Sequence, residues 1–196
     1  MNKYTFFWKI WLAISYLYTK VFFKSARLIR LPFDIRNKQF IRFGKNLTTG
    51  IFCRFEAYPQ DINSKTIFIG DDVEINDYVH ISGGQKVVIG NKVLIASKVF
   101  ISDINHGNYK GIIHDNPLIP PKERKLSMSP VLIGDNVWIG EGVCIMPGVT
   151  IGEGSIIGAS SVVTRNIPSY SIAVGSPCKV IKVFDFTSNK WGPFKA

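Results

Sequence analysis

Titration near neutral pH in this 196-residue chain falls to three histidines, His80, His106 and His114. An imidazole is the side chain best matched to that pH, so each is a candidate general base or metal ligand. His106 stands between Asn105 and Gly107, at the mouth of a stretch (residues 103–130) that follows no repeat. A loop of that length inside a compact fold is usually functional. His114 lies deeper in the same stretch, where it could touch a bound molecule, whereas His80 precedes Ile81 at an outward place and reads as a surface residue. A catalytic zinc takes three protein ligands and a water, so a zinc reading would need all three histidines to converge. The three cysteines, Cys53, Cys144 and Cys178, are odd in number and far apart, and read as reduced thiols. No C-x-x-C pair and no glycine-rich phosphate loop is present.

The elements that must hold these groups follow from one periodicity. A β-branched apolar residue recurs every sixth position at Ile133, Ile139, Ile145, Ile151, Ile157 and Val163. Glycine follows it at 134, 140, 152 and 158, and a second apolar or small residue sits four places on, at Val137, Val143, Val149, Ser155 and Ser161. A period of six is neither 3.6 nor 2, so it describes short strands broken by tight turns. Three such units close a triangular coil of about 18 residues, stacked roughly 4.8 Å above the last. The same phase appears at Ile69, Ile75 and Ile81 and again at Ile89, Ile95 and Ile101. Ile81 to Ile89 is a step of eight, so one corner carries two extra residues, and Ile101 to Ile133 is a step of thirty-two, where a loop leaves the coil. The expected fold is all-β: a parallel β-helix over residues 40–183 with an ejected loop at 103–130, a helical arm at 1–39 and a tail at 184–196.

Charge is unevenly spread. Of 24 basic and 14 acidic residues (net +10), six cations lie in the first 30 positions: Lys3, Lys9, Lys20, Lys24, Arg27 and Arg30. No acid precedes Asp34. Phe6, Phe7, Ile10, Trp11, Ile14, Leu17, Tyr18, Val21 and Phe22 recur at helical steps, which predicts a helix over 4–31 ending before Pro32. Only ten residues separate Lys9 from Lys20, too few for a span of about 20 apolar residues. Two places are open to this helix: against the coil, or in a membrane interface. No nucleic-acid motif accompanies the charge.

The run I-G-D-N-V-W-I-G-E-G-V-C-I-M-P-G-V-T-I-G, with G-S-P-C-K-V-I beyond it, resembles the hexapeptide-repeat acyltransferases. I-N-D-Y-V-H-I followed by I-S-D-I-N-H-G is similar to the sugar O-acetyltransferases of bacterial lipopolysaccharide and O-antigen, over about residues 66–183. The resemblance implies a left-handed β-helix, a homotrimer with sites between subunits, acetyl-CoA as donor and a sugar or oligosaccharide acceptor, free or lipid-linked. It implies a cytoplasmic enzyme, which the basic arm would bring to the inner face of the membrane. His106 aligns with the family's base, and His114 stays a candidate acceptor contact. On the acceptor side it implies Asn76, with Asp77 and Tyr78 weaker, and Asn105 either bonding acceptor or shaping the loop. On the donor side it implies Trp138, the small residues Gly140, Gly158, Ala159 and Ser160, and Thr164, Arg165 and Lys179 near the nucleotide end. Relatives carry a glutamate about twelve residues after the base; Leu118 stands there, leaving Asp103, which could equally cap a turn, Asp115 or a backbone carbonyl to orient His106. No metal is implied. The alternatives are a zinc hydratase of the gamma carbonic anhydrase type, which shares the coil, and a non-catalytic scaffold.

Overall fold

The computed structural model describes residues 5–61 and 63–194. Lys3 of the basic arm and the last two residues of the tail therefore lie outside the described residues.

The described residues are mostly β, with one α-helix among them, Phe6–Phe22. The strands form parallel sheets of nine, six and five members, antiparallel only at the outer end of the nine-stranded one, plus a two-stranded hairpin. Successive strands visit the three large sheets in turn, so each circuit of the chain lays one strand on each face of a triangular coil. Leu94 and Ile95 pair in register with Trp138 and Ile139, and Phe100 and Ile101 with Cys144 and Ile145. Equivalent residues therefore sit directly above one another, and the six-residue period becomes vertical rows. Ile139, Ile145, Ile151 and Ile157 are wholly buried, with Val137, Val143 and Val149 beside them. Ser155 and Ser161 occupy the same inward places because each hydroxyl has an acceptor, Pro168 O at 2.8 Å and Gly158 O at 2.7 Å. Gly140 is required by close approach: a Cβ there would lie 2.6 Å from the Ala159 nitrogen of the next coil.

The corner with two extra residues is held by Asp103. Its carboxylate is fully buried and accepts the backbone N–H groups of Gly84, Gln85 and Lys86 at 2.7, 2.8 and 2.6 Å. The ejected loop begins immediately after it as an antiparallel hairpin, Ile104–His106 against Leu126–Met128, and the coil resumes at Val131.

The arm differs from its expected extent. The helix stops at Phe22, and Leu28–Ile29 already pairs with Thr48–Thr49, so the boundary expected at 39 falls inside the first coil. The apolar pattern continues past the helix for another reason: Phe23 and Ala26 plug the end of the core, Phe23 packing edge-on against Phe33 and Phe43. The helix lies over the exposed edge of that first strand. Thr19 and Ser15 accept the N–H groups of Ile29 and Leu31 at 2.8 and 3.1 Å, and the Trp11 indole donates to Leu31 O at 2.7 Å. Covering an open edge in this way blocks further strand pairing. The tail is likewise ordered: Lys179–Asp185 and Lys190–Pro193 form an antiparallel extension of the nine-stranded sheet.

Candidate active site

His106 closes the first strand of the hairpin, opposite Leu126, and projects over the outer face of the six-stranded sheet. There it lines a pocket of about 350 Å³ with Tyr58, His80, Ser82, Phe100 and Ser102. Two aromatic rings, three hydroxyls and two imidazoles around one cavity suit a polyhydroxylated ligand, whose C–H faces stack on rings while its hydroxyls exchange hydrogen bonds. The hairpin is braced from beyond the pocket. Ser127 donates to Gly107 O at 2.6 Å, and Arg124 holds the Tyr109 hydroxyl at 2.6 Å while that hydroxyl donates to His106 O. His106 is thus fixed through its backbone.

His80 is no bystander at the surface. Its Nε2–H donates to Glu56 Oε2 at 2.7 Å, and its Nδ1 accepts from Arg54 Nη2 at 3.1 Å. That pattern requires the neutral Nε2–H tautomer. Burial pushes the His80 pKa below its ordinary value, with the nearby Arg54 charge adding to the effect against the pull of Glu56. Glu56 is only 4 % exposed. Burial alone would raise its pKa, but hydrogen bonds from His80 and Tyr58 and the charges of Arg54 and Arg36 outweigh that and leave it lowered. Sequence reading missed this cluster. Its signal was the alternation Arg54, Glu56, Tyr58, three polar places on one strand face, but the pairing of Arg54 with His80 is a matter of inter-strand register.

The remaining candidates fall into separate groups. Asn76 and Asp77 hold a corner: Asn76 Nδ2 donates to Ile95 O at 3.2 Å, and Asp77 accepts the Ile51 N–H at 2.8 Å. Neither lines the His106 pocket. Both oxygens of Asp103 are occupied by backbone, and Asp115 accepts from the Asn108 N–H at 2.6 Å, so neither carboxylate is bonded to the His106 ring. His114 donates to Gly111 O at 2.9 Å inside the loop, which leaves the three histidines unconverged within the chain. No group of three or more potential metal ligands is found among the described residues. Trp138 is 49 % exposed on the nine-stranded sheet, a different face from the His106 pocket. Thr164, Arg165 and Lys179 come together: they line a cleft of about 790 Å³ with Ile167, Val180 and Phe194. Gly140, Gly158, Ala159 and Ser160 are not among its walls.

A family model for the bacterial transferase hexapeptide (six repeats) matches residues 130–165. The putative lipopolysaccharide biosynthesis O-acetyl transferase WbbJ of Escherichia coli (strain K12) is 44 % identical over 179 residues, 89 % of this chain and 88 % of the relative. This chain belongs to the hexapeptide-repeat acyltransferases. Among solved structures, the galactoside acetyltransferase in complex with coenzyme A is 34 % identical, covers 77 % of this chain and 69 % of its own, and superposes with a TM-score of 0.54. A mutant of AntD, an N-acyltransferase from Bacillus cereus in complex with dTDP-4-amino-4,6-dideoxyglucose and coenzyme A, is 26 % identical over 81 % of this chain and 80 % of its own, with a TM-score of 0.67.

Proposed function

We propose that this acyltransferase moves the acetyl group of acetyl-CoA to a hydroxyl of a sugar used in surface polysaccharide, the lipopolysaccharide O-antigen or capsule. The observation that carries this reading is His106, set on a braced hairpin above a pocket of aromatic and hydroxyl walls. A sugar hydroxyl is far too weak an acid to react unassisted at neutral pH. His106 takes its proton as the oxygen attacks and returns it to the leaving thiolate, which makes it the general base and then the acid. Asn105 beside it meets the acceptor. Acetyl-CoA supplies the activated acyl group. The Arg165 and Lys179 cations fit its phosphates, and Ile167, Val180 and Phe194 give the same cleft apolar walls. Thr164 joins them, while Gly140, Gly158, Ala159 and Ser160 form the narrow corner along which the pantetheine arm runs.

The enzyme works as a homotrimer of left-handed coils. Trp138 and His106 belong to different faces of one chain, so a site using both is completed by the neighbouring copy. The arm brings the trimer to the inner face of the cytoplasmic membrane. Its coil-facing side is Ser15 and Thr19 with Leu12 and Tyr18 partly buried beside them, whereas Phe7 is 81 % and Leu17 65 % exposed, so much of its apolar surface faces away from the coil. No helix among the described residues is long and apolar enough to cross a membrane. Arg27 and Arg30 are paired with Glu74 and Asp77, which leaves the lysines for anionic headgroups.

The test is to incubate the protein with acetyl-CoA and surface polysaccharide from a strain deleted for its gene. Thiol release matched by alkali-labile acetyl esters on the saccharide is expected. Thiol release without ester, or neither, overturns the reading.

A further inference from the structure

The His106 pocket does not end at His80. On the other side of that imidazole lies a second pocket of about 380 Å³, and His80 is a wall of both. The second pocket is lined by Asp34, Arg54, Phe52 and Tyr78 among others. We propose that it is a second acceptor subsite, which takes the unit joined to the reacting sugar and so orients that sugar before His106. This rests on the sugar O-acetyltransferase reading and narrows its substrate class: the acceptor is an oligosaccharide of at least two units, not a free monosaccharide.

Three observations carry it. The divider between the pockets is rigid, because both nitrogens of His80 are engaged and Glu56 holds its whole surround. Oε1 of that carboxylate receives Arg36 Nη1 at 2.5 Å and the Tyr58 hydroxyl at 3.1 Å; Oε2 receives His80 at 2.7 Å and Arg54 Nε at 3.3 Å. Glu56 and His80 are therefore positioning residues. The groups they position point to both pockets. Tyr58, having donated its proton to Glu56, offers lone pairs to a hydroxyl on the His106 side. Arg54, held through Nε by Glu56 and through Nη2 by His80, lines the other pocket and brings a guanidinium to it for sugar oxygens. The outer wall is an aromatic platform: Phe52 and Tyr78 stack at 5.1 Å and 12°, both half-exposed, both at positive φ. Bulky side chains rarely occupy that conformation. The next corners of the same column carry Lys98, Gly142 and Ser160 instead, so the two rings are a local feature of this pocket and not of the coil.

The test compares two acceptors from the gene-deleted strain: the repeating-unit oligosaccharide released by mild acid, and its constituent methyl monosaccharides. The wild-type enzyme is expected to favour the oligosaccharide by about tenfold or more in kcat/KM, the worth of one or two added hydrogen bonds. Tyr78→Ala and Arg54→Gln should raise KM for the oligosaccharide about tenfold, with kcat within a few-fold, and should cost the monosaccharides at least five times less. Lys98→Ala, next in the column, is the control and should leave both acceptors unaffected. Saturation transfer from the Tyr78 ring to the oligosaccharide gives a second readout, and thermal melts exclude unfolding. Equal turnover of both acceptors by the wild type, or equal losses on both in the variants, overturns the subsite alone. Transfer to neither acceptor overturns the O-acetyltransferase reading beneath it, and the subsite with it.

Discussion

Residues 131–163 keep a six-residue period of Ile or Val without interruption, whereas residues 28–57 build the same coil with that period broken by one eight-residue step, its equivalent places being Ile29, Ile35, Phe43, Thr49 and Phe55. In the late coils, strands such as Trp138–Ile139 and Cys144–Ile145 are two residues long, the inward rows are aliphatic, and corners are small. In the early coils the six-stranded sheet widens to Phe33–Arg36, Cys53–Ala57 and His80–Gly83, its core includes Phe55, and its outer face carries Arg36, Arg54, Glu56 and His80. Regularity gives rigidity and one close-packed row per face. Departure from it gives room for a hydrogen-bonded cluster beside the hairpin that bears His106. The half of the coil that is easiest to read is thus mostly frame, and the half that is harder to read carries the cluster beside the proposed acceptor pocket.

That contrast can be broken most severely in the frame. Ile145→Asp puts an unpaired charge into a wholly buried aliphatic row, at a cost of more than about 4 kcal/mol, and should abolish the cooperative melt of the late coils. An unchanged melting temperature would mean that the inward phase is wrong. The early half should be more acid-sensitive. Both Glu56 and His80 have lowered pKa values in the fold. The unfolded chain therefore binds more protons as pH drops, and stability falls with it. For His80 the loss begins below its ordinary value of 6.5, and for Glu56 below 4.5. Glu56→Gln should cost on the order of 1–2 kcal/mol at pH 7, because Arg36 and Arg54 are half exposed and regain water, and should flatten the acid decline below pH 4.5 while steepening the part due to His80, whose pKa loses the upward pull of the carboxylate. A variant whose melting temperature falls below pH 4.5 as steeply as the wild type's would mean that Glu56 adds nothing to stability. The mildest effect is expected at the cationic cleft: Arg165→Ala or Lys179→Ala should raise the KM for acetyl-CoA by about tenfold, with kcat nearly unchanged. A fall in kcat without a change in KM would move the donor elsewhere.

How much was legible follows the same division. Ile133 to Val163 announced the coil because its period has no other structural use, and the eight-residue step after Ile81 announced a swollen corner. Asp103 was open in sequence to capping a turn, and it does close that corner through three backbone N–H groups; which backbone it would hold, 17 to 19 positions away, could not be read. His106 drew notice through its flanking Asn105 and Gly107 at the loop mouth, and it lies at the rim of a pocket. His80 was misjudged as a surface residue because its partner, Glu56, lies 24 positions away and meets it only through the register of neighbouring strands. Asn76 and Asp77 were read through a resemblance, and the corner geometry gives them backbone to hold. The helix was overextended because Phe23 and Ala26 satisfy a helical pattern while filling the end of the core.

The claim at the centre is that His106 is the base. It is tested most directly by the turnover of His106→Ala with acetyl-CoA and the deacetylated surface saccharide, followed by thiol release at saturating donor. A fall in kcat of about 10²–10⁴-fold is expected, with assembly and melting temperature unchanged. Turnover within a few-fold of the wild type would contradict it.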